Sequence, residues 1–125
     1  MKRSLIAFSF ILALTVSSFS QQATKTAKLT DRQVLSLITT AKTPADHTRI
    51  AEYYKAQASS YLAHSKEHED MAKAYKQNVV ASSPKYVTAT VNHCEYIAES
   101  FKNDAKKAQE LADLHEEMAK SLEKK

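Results

Sequence analysis

Residues 50–72, IAEYYKAQASSYLAHSKEHEDMA, and residues 97–119, IAESFKNDAKKAQELADLHEEMA, decide the fold. Ile50-Ala51 recurs as Ile97-Ala98, Tyr54 as Phe101 and Ala58 as Ala105. His68-Glu69-Asp70-Met71-Ala72 recurs as His115-Glu116-Glu117-Met118-Ala119. Every match has the same offset, 47 residues. Two long rods cut to one template predict an all-α fold, a long antiparallel hairpin. Alone, they imply no reaction.

The apolar spacing alternates between four and three, the heptad pattern of helices that pack along their length. In the first rod the stripe is His47, Ala51, Tyr54, Ala58, Tyr61, Ser65, His68, Ala72, Tyr75 and Val79. In the second it is Cys94, Ala98, Phe101, Ala105, Ala108, Ala112, His115, Ala119 and Leu122. Most of these positions are alanine. Alanine lets backbones approach closely but buries little surface, at roughly 25 cal/mol per Å² of apolar area. The tyrosines fill the gaps and need an outlet for each hydroxyl.

Capping signals set the element boundaries. Thr30 with Gln33 forms a capping box ahead of Val34, Leu35, Leu37 and Ile38, so a short helix opens there. Thr43 with Asp46 forms a second, and Pro44 suits a first helical position. That helix is expected to reach about Val79. Asn92 with Glu95 predicts the start of the third helix, running to about Leu122. Ser82-Ser83-Pro84-Lys85 reads as a turn, and the β-branched stretch Tyr86–Val91 as extended or as one short helical turn. The short helix is expected across the open face of the hairpin, completing a three-helix bundle. Leu29, Val34, Leu35, Leu37 and Ile38 would then meet Ile50, Ile97, Leu111 and Leu114.

Residues 1–20 read as a secretory signal. Lys2 and Arg3 precede a short apolar run from Leu5 to Val16, and Ser18-Phe19-Ser20 offers a cut after Ser20, or alternatively after Ala23. The run is too short and too close to the terminus to read as a spanning helix, a retained membrane anchor being the alternative, and no second one follows. Export to the periplasm or beyond is therefore expected, with no stable membrane insertion after cleavage. Residues 21–28 read as a flexible leader and 29–125 as one helical domain. Two of the 18 basic residues lie in the signal, which leaves 16 against 14 acidic, a net charge of +2. Both signs interleave along each rod, which argues against a nucleic-acid partner. A thin alanine core favours a homo-oligomer, or binding to another envelope protein.

Chemistry-bearing residues are few. His64 and His68 are one turn apart, and Met71 lies on the same side. Two imidazoles and a thioether are ligand types for copper or zinc. A short reversal would place Cys94 beside residues 74–77, about 5–9 Å beyond Met71 at 1.5 Å rise per residue, a gap that a long soft side chain nearly closes. His64, His68, Met71 and Cys94 thus form a candidate metal site; the same histidines also read as surface residues. Leu111 stands where the second copy would need the partner of His64, so the shared His-x-x-Met spacing also reads as packing. In that pairing His115 would have to look toward His47, about nine residues off level. Cys94 has three readings: an apolar filler, a link between two chains, or a ligand. No serine or carboxylate constellation supports hydrolysis, and His68-Glu69 and His115-Glu116 lack the second histidine of a zinc-protease motif. The chain reads as no enzyme. A haem pocket built on Tyr53, Tyr54, Tyr61 and Tyr75 competes with simple packing of those rings.

On Thr43-Pro44-Ala45-Asp46-His47, Tyr53-Tyr54, His93-Cys94 and the two His-Glu-x-Met-Ala segments, the chain resembles a group of small exported bacterial helical proteins. The resemblance spans roughly residues 30–120. It implies export and a helical fold, and carries no activity.

Overall fold

The computed structural model describes residues 28–77 and 83–124. The expected signal, nearly all of the leader, and Val79 lie outside these residues. Three helices follow in order: α1 (Asp31–Thr40), α2 (Pro44–Gln77) and α3 (Pro84–Glu123). Among the described residues there is no strand. The two long helices pack against each other along their length, and α1 packs against α2.

Both early capping boxes form. Thr30 Oγ1 accepts from the Gln33 amide while the Gln33 side chain accepts from the Thr30 amide. The Asp46 amide donates to Thr43 Oγ1 at 3.1 Å, and Asp46 Oδ2 accepts from the amides of Lys42 and Thr43. Those two amides, aided by the Thr43 hydroxyl, hold the Asp46 carboxyl below its usual pKa.

The third boundary differs from expectation. α3 begins at Pro84, eight residues before the Asn92 box, and runs unbroken through the β-branched stretch. Pro84 fits the first turn, where its missing N–H has no partner to lose. Thr88 and Thr90 turn their hydroxyls back onto the carbonyls of Pro84 and Tyr86. Val91 is buried with Ala72 and Cys94, and Val87 packs on that cluster. Tertiary burial thus outweighs the mild helix penalty of branched side chains.

The heptad stripe is the core. Ala51, Ala58, Ser65 and Ala72 of α2 are buried, as are Cys94, Ala98, Ala105, Ala108, Ala112 and Ala119 of α3. Tyr75 departs from the pattern and is exposed. One flank of the seam carries three cross-helix ion pairs: Lys55–Glu116, Glu69–Lys102 and Lys76–Glu95. Each step of seven or fourteen along α2 is matched by an equal step back along α3, which defines an antiparallel register.

α1 covers less than expected. Val34 is its one buried residue, while Leu35 is 66% and Ile38 41% exposed. Leu111 and Leu114 of α3 are exposed too, so only part of the anticipated three-helix core closes. A ten-residue helix anchored on α2 is too short to cover the seam from both sides. The Tyr53 hydroxyl, which donates to Asp31, marks where it seats.

The sequence repeat becomes an internal two-fold relation. Adding 47 carries Lys55 to Lys102 and Glu69 to Glu116, so two of the ion pairs exchange under it. It also carries Tyr54 to Phe101 and His68 to His115. The two ring pairs this relates have nearly one geometry: Tyr54–His115 at 6.1 Å and 23°, and His68–Phe101 at 5.9 Å and 27°.

Candidate functional site

Two aromatic knobs from α3 enter equivalent holes on α2. Phe101 meets the rings of Tyr61, His64 and His68 at centroid distances of 6.1, 5.3 and 5.9 Å. These three and the buried Ser65 are the i, i+3, i+4, i+7 set that forms a helical hole. Two heptads further along α3, His115 enters the corresponding hole and meets His47 and Tyr54, with buried Ala51 in the same set. A polar ring thus sits where the other layer uses phenylalanine.

His47 and His115 touch through their Nδ1 atoms at 3.0 Å. Their centroids are 5.3 Å apart, with the two nitrogens between them, so the rings meet edge to edge. One Nδ1 carries the proton and donates it to the other, which fixes opposite tautomers on the two rings. Burial, and then the neighbouring His47, push the His115 pKa down, so His115 favours the neutral, ligand-competent form. This contact corrects the expectation that His47 lies about nine residues off level. That estimate paired Cys94 with residues 74–77, whereas Cys94 packs with Ala72. The register is therefore displaced toward the start of α2.

The four residues predicted as metal ligands are placed as follows. His64 and His68 share one face, as expected, and both lie against Phe101. His64 Nδ1 is 3.1 Å from Glu67 Oε2 and the side chain is exposed. His68 Nδ1 is buried and has no hydrogen-bond partner among the described residues; Ser65 Oγ is in the same condition. Met71 is exposed. Cys94 is a buried free thiol in an apolar cluster with Ala72, Val91 and Val87 that includes none of His64, His68 and Met71. Among the described residues no three His, Cys, Asp or Glu side chains converge as ligands.

The surface carries the larger apolar side chains. Leu114 and Met118, 50% and 44% exposed, line a groove of about 410 Å³ with His47, Glu117, Ser121 and Leu122. Tyr53, Tyr54 and Tyr61 line a second groove with Asp31, Gln57 and Asp104. Among the described residues no helix is long and apolar enough to cross a membrane.

Comparison with known proteins finds no matching family model, no matching curated protein and no matching solved structure.

Proposed function

We propose that the chain is an exported helical module that acts by binding a protein surface, its first partner a second copy of itself, and not by catalysis. One observation carries this reading: the hairpin buries small side chains and exposes large ones. Among the described residues, eight of the twelve buried apolar ones are alanine. Leucine, isoleucine, methionine and tyrosine stand exposed on all three helices. A buried methylene contributes about 0.8 kcal/mol and a fully buried leucine roughly 1.5–3. The folded monomer therefore leaves much of its available hydrophobic stabilisation unused, and Leu114 and Met118, side by side along one groove, form the kind of exposed apolar surface that marks an association site. Sedimentation equilibrium over a range of concentrations tests it. A concentration-dependent dimer or larger assembly is expected. A monomer throughout would remove self-association and leave a different envelope protein as the only partner.

Copper or zinc binding through His64, His68, Met71 and Cys94 is the second reading. It is favoured by the buried, unpartnered Nδ1 of His68. Calorimetric titration of metal-free protein with Zn²⁺ and Cu⁺ tests it, with binding lost in His64→Ala and His68→Ala. No binding would end it.

A further inference from the structure

We propose that the hairpin holds Cu⁺ at two pseudo-equivalent positions, one made by His47, His115 and Met118, the other by Cys94, His68 and Met71. This deepens the metal reading above but replaces its ligand set, and it stands whether or not the chain self-associates.

The internal two-fold relation supplies the argument. Adding 47 to His47, His68 and Met71 gives Cys94, His115 and Met118. Each position therefore combines a His-x-x-Met from one helix with a nitrogen or sulfur donor from the other. All six side chains are soft or borderline donors suited to a monovalent copper ion. His47 and Cys94 are the only related pair of the three whose residue type changes, and the change is between two ligand types.

At the first position the two donors already meet. Bonds of about 2.0–2.1 Å to one ion place two imidazole nitrogens about 2.8–3.4 Å apart, for angles between a right angle and the tetrahedral value. The observed Nδ1–Nδ1 separation is 3.0 Å. Each ring must turn by roughly 40–45° to bring its lone pair from the other nitrogen onto one ion, given the 3.0 Å separation and bonds of that length. Met118 is one turn from His115 and lines the same groove as His47, which gives the ion an entry path. Binding here releases no net proton: the shared Nδ1 proton leaves, and solvent returns one to the Nε2 that lacks it.

At the second position His68 stands where His115 does. Its Nδ1 is the buried atom without a partner. In a packed seam such an atom is costly unless something absent from the bare chain satisfies it. Cys94 is the buried residue in the seat of His47. Binding here forms a sulfur–copper bond and releases the thiol proton to solvent.

The test is anaerobic competition between the reduced, purified protein and a coloured Cu⁺ chelator. Two ions per chain are expected. The paired change His47→Tyr with His115→Phe copies the Tyr61 and Phe101 layer, so it preserves packing while removing both nitrogens; one ion should be lost. His68→Tyr with Cys94→Ala copies Tyr54 at the histidine seat and should remove the other. Met71→Leu with Met118→Leu should weaken the hold on both. His64→Ala, whose counterpart is Leu111, should leave both intact. Circular dichroism confirms that each variant is helical. A single ion, no ion, or binding that survives both paired changes overturns the proposal. Binding abolished by His64→Ala also overturns it, and returns the metal to the four-residue set.

Discussion

His115 shows what one ring does in a seam of alanines. The hole it enters is built like the one that receives Phe101, yet His115 brings a polar nitrogen that must be satisfied. His47 satisfies it at 3.0 Å. Removing one partner leaves a half-buried nitrogen unpaired, which costs about 1–3 kcal/mol, whereas replacing both with apolar rings of similar shape is close to neutral or stabilising. In metal-free protein, His47→Ala should therefore lower stability by about 1–3 kcal/mol in urea unfolding. The pair His47→Tyr with His115→Phe should match or exceed the parent. If the double change were the more damaging, the shared proton would be contributing far more than an ordinary hydrogen bond. The His47–His115 pair escapes a reading of the sequence for a plain reason. The pairing of two residues 68 apart depends on the reversal between the long helices, and the misplaced start of α3 hid its length. The offset of 47 equates His68 with His115 and His47 with Cys94, but it leaves the register free and so does not bring His47 to His115.

At the scale of the helix, local chemistry decides the ends and small side chains decide the contact. The box at the start of α2 depends on the ionised Asp46 carboxylate, whose folded pKa lies below the ordinary 3.8. A depressed carboxylate contributes stability that is present above its unfolded pKa and is lost as pH falls through the folded value. Asp46→Asn should lower the melting temperature at neutral pH, and the gap to the parent should close as pH drops below about 3.8. A gap constant with pH would mean that the charge plays no part. The contact between α2 and α3 is sensitive to size instead. Ala112 is fully buried, so Ala112→Leu has no room and should destabilise by about 1–3 kcal/mol through overpacking. Thermal or urea unfolding with the helical signal as probe measures it. Both early boxes and nearly the whole alanine stripe were legible because each is written within a turn or two of chain. The start of α3 was not: Asn92 and Glu95 imitate a cap, while the burial of Val91 against Ala72 that carries the helix past them is a contact between distant residues. The exposure of Leu35, Ile38, Leu111 and Leu114 was illegible for a related reason. An apolar residue announces that it can be buried, and the reach of a ten-residue α1 decides whether it is.

For the whole molecule, the two-fold relation between the rods constrains the fold more than any single contact. It pairs unlike charges on one flank of the seam through Lys55–Glu116 and Glu69–Lys102, related by exchange. These side chains are about a third to a half exposed, so the pairs select the antiparallel register more than they add stability. Large apolar residues stand exposed on each helix, and here self-association and export are tested together. If residues 1–20 are a signal, protein recovered from outside the cytoplasm should begin at Gln21 on N-terminal sequencing, or at Thr24 for the alternative cut. An intact Met1 on that material would refute cleavage. Leu114 and Met118 then provide the sharpest probe of assembly. They lie one turn apart on α3, half exposed, beside the groove that reaches His47. A charge placed there is harmless in a monomer, where water already reaches both side chains. In a dimer that covers this face, it puts two carboxylates per chain into an apolar contact. Leu114→Glu with Met118→Glu should therefore leave the helical signal and melting of dilute protein nearly unchanged. It should also abolish concentration-dependent assembly in sedimentation equilibrium. Loss of helicity at low concentration would show that these residues belong to the monomer's own core. Assembly that persists would move the contact to another surface, with exposed Leu35 and Ile38 of α1 the next to change.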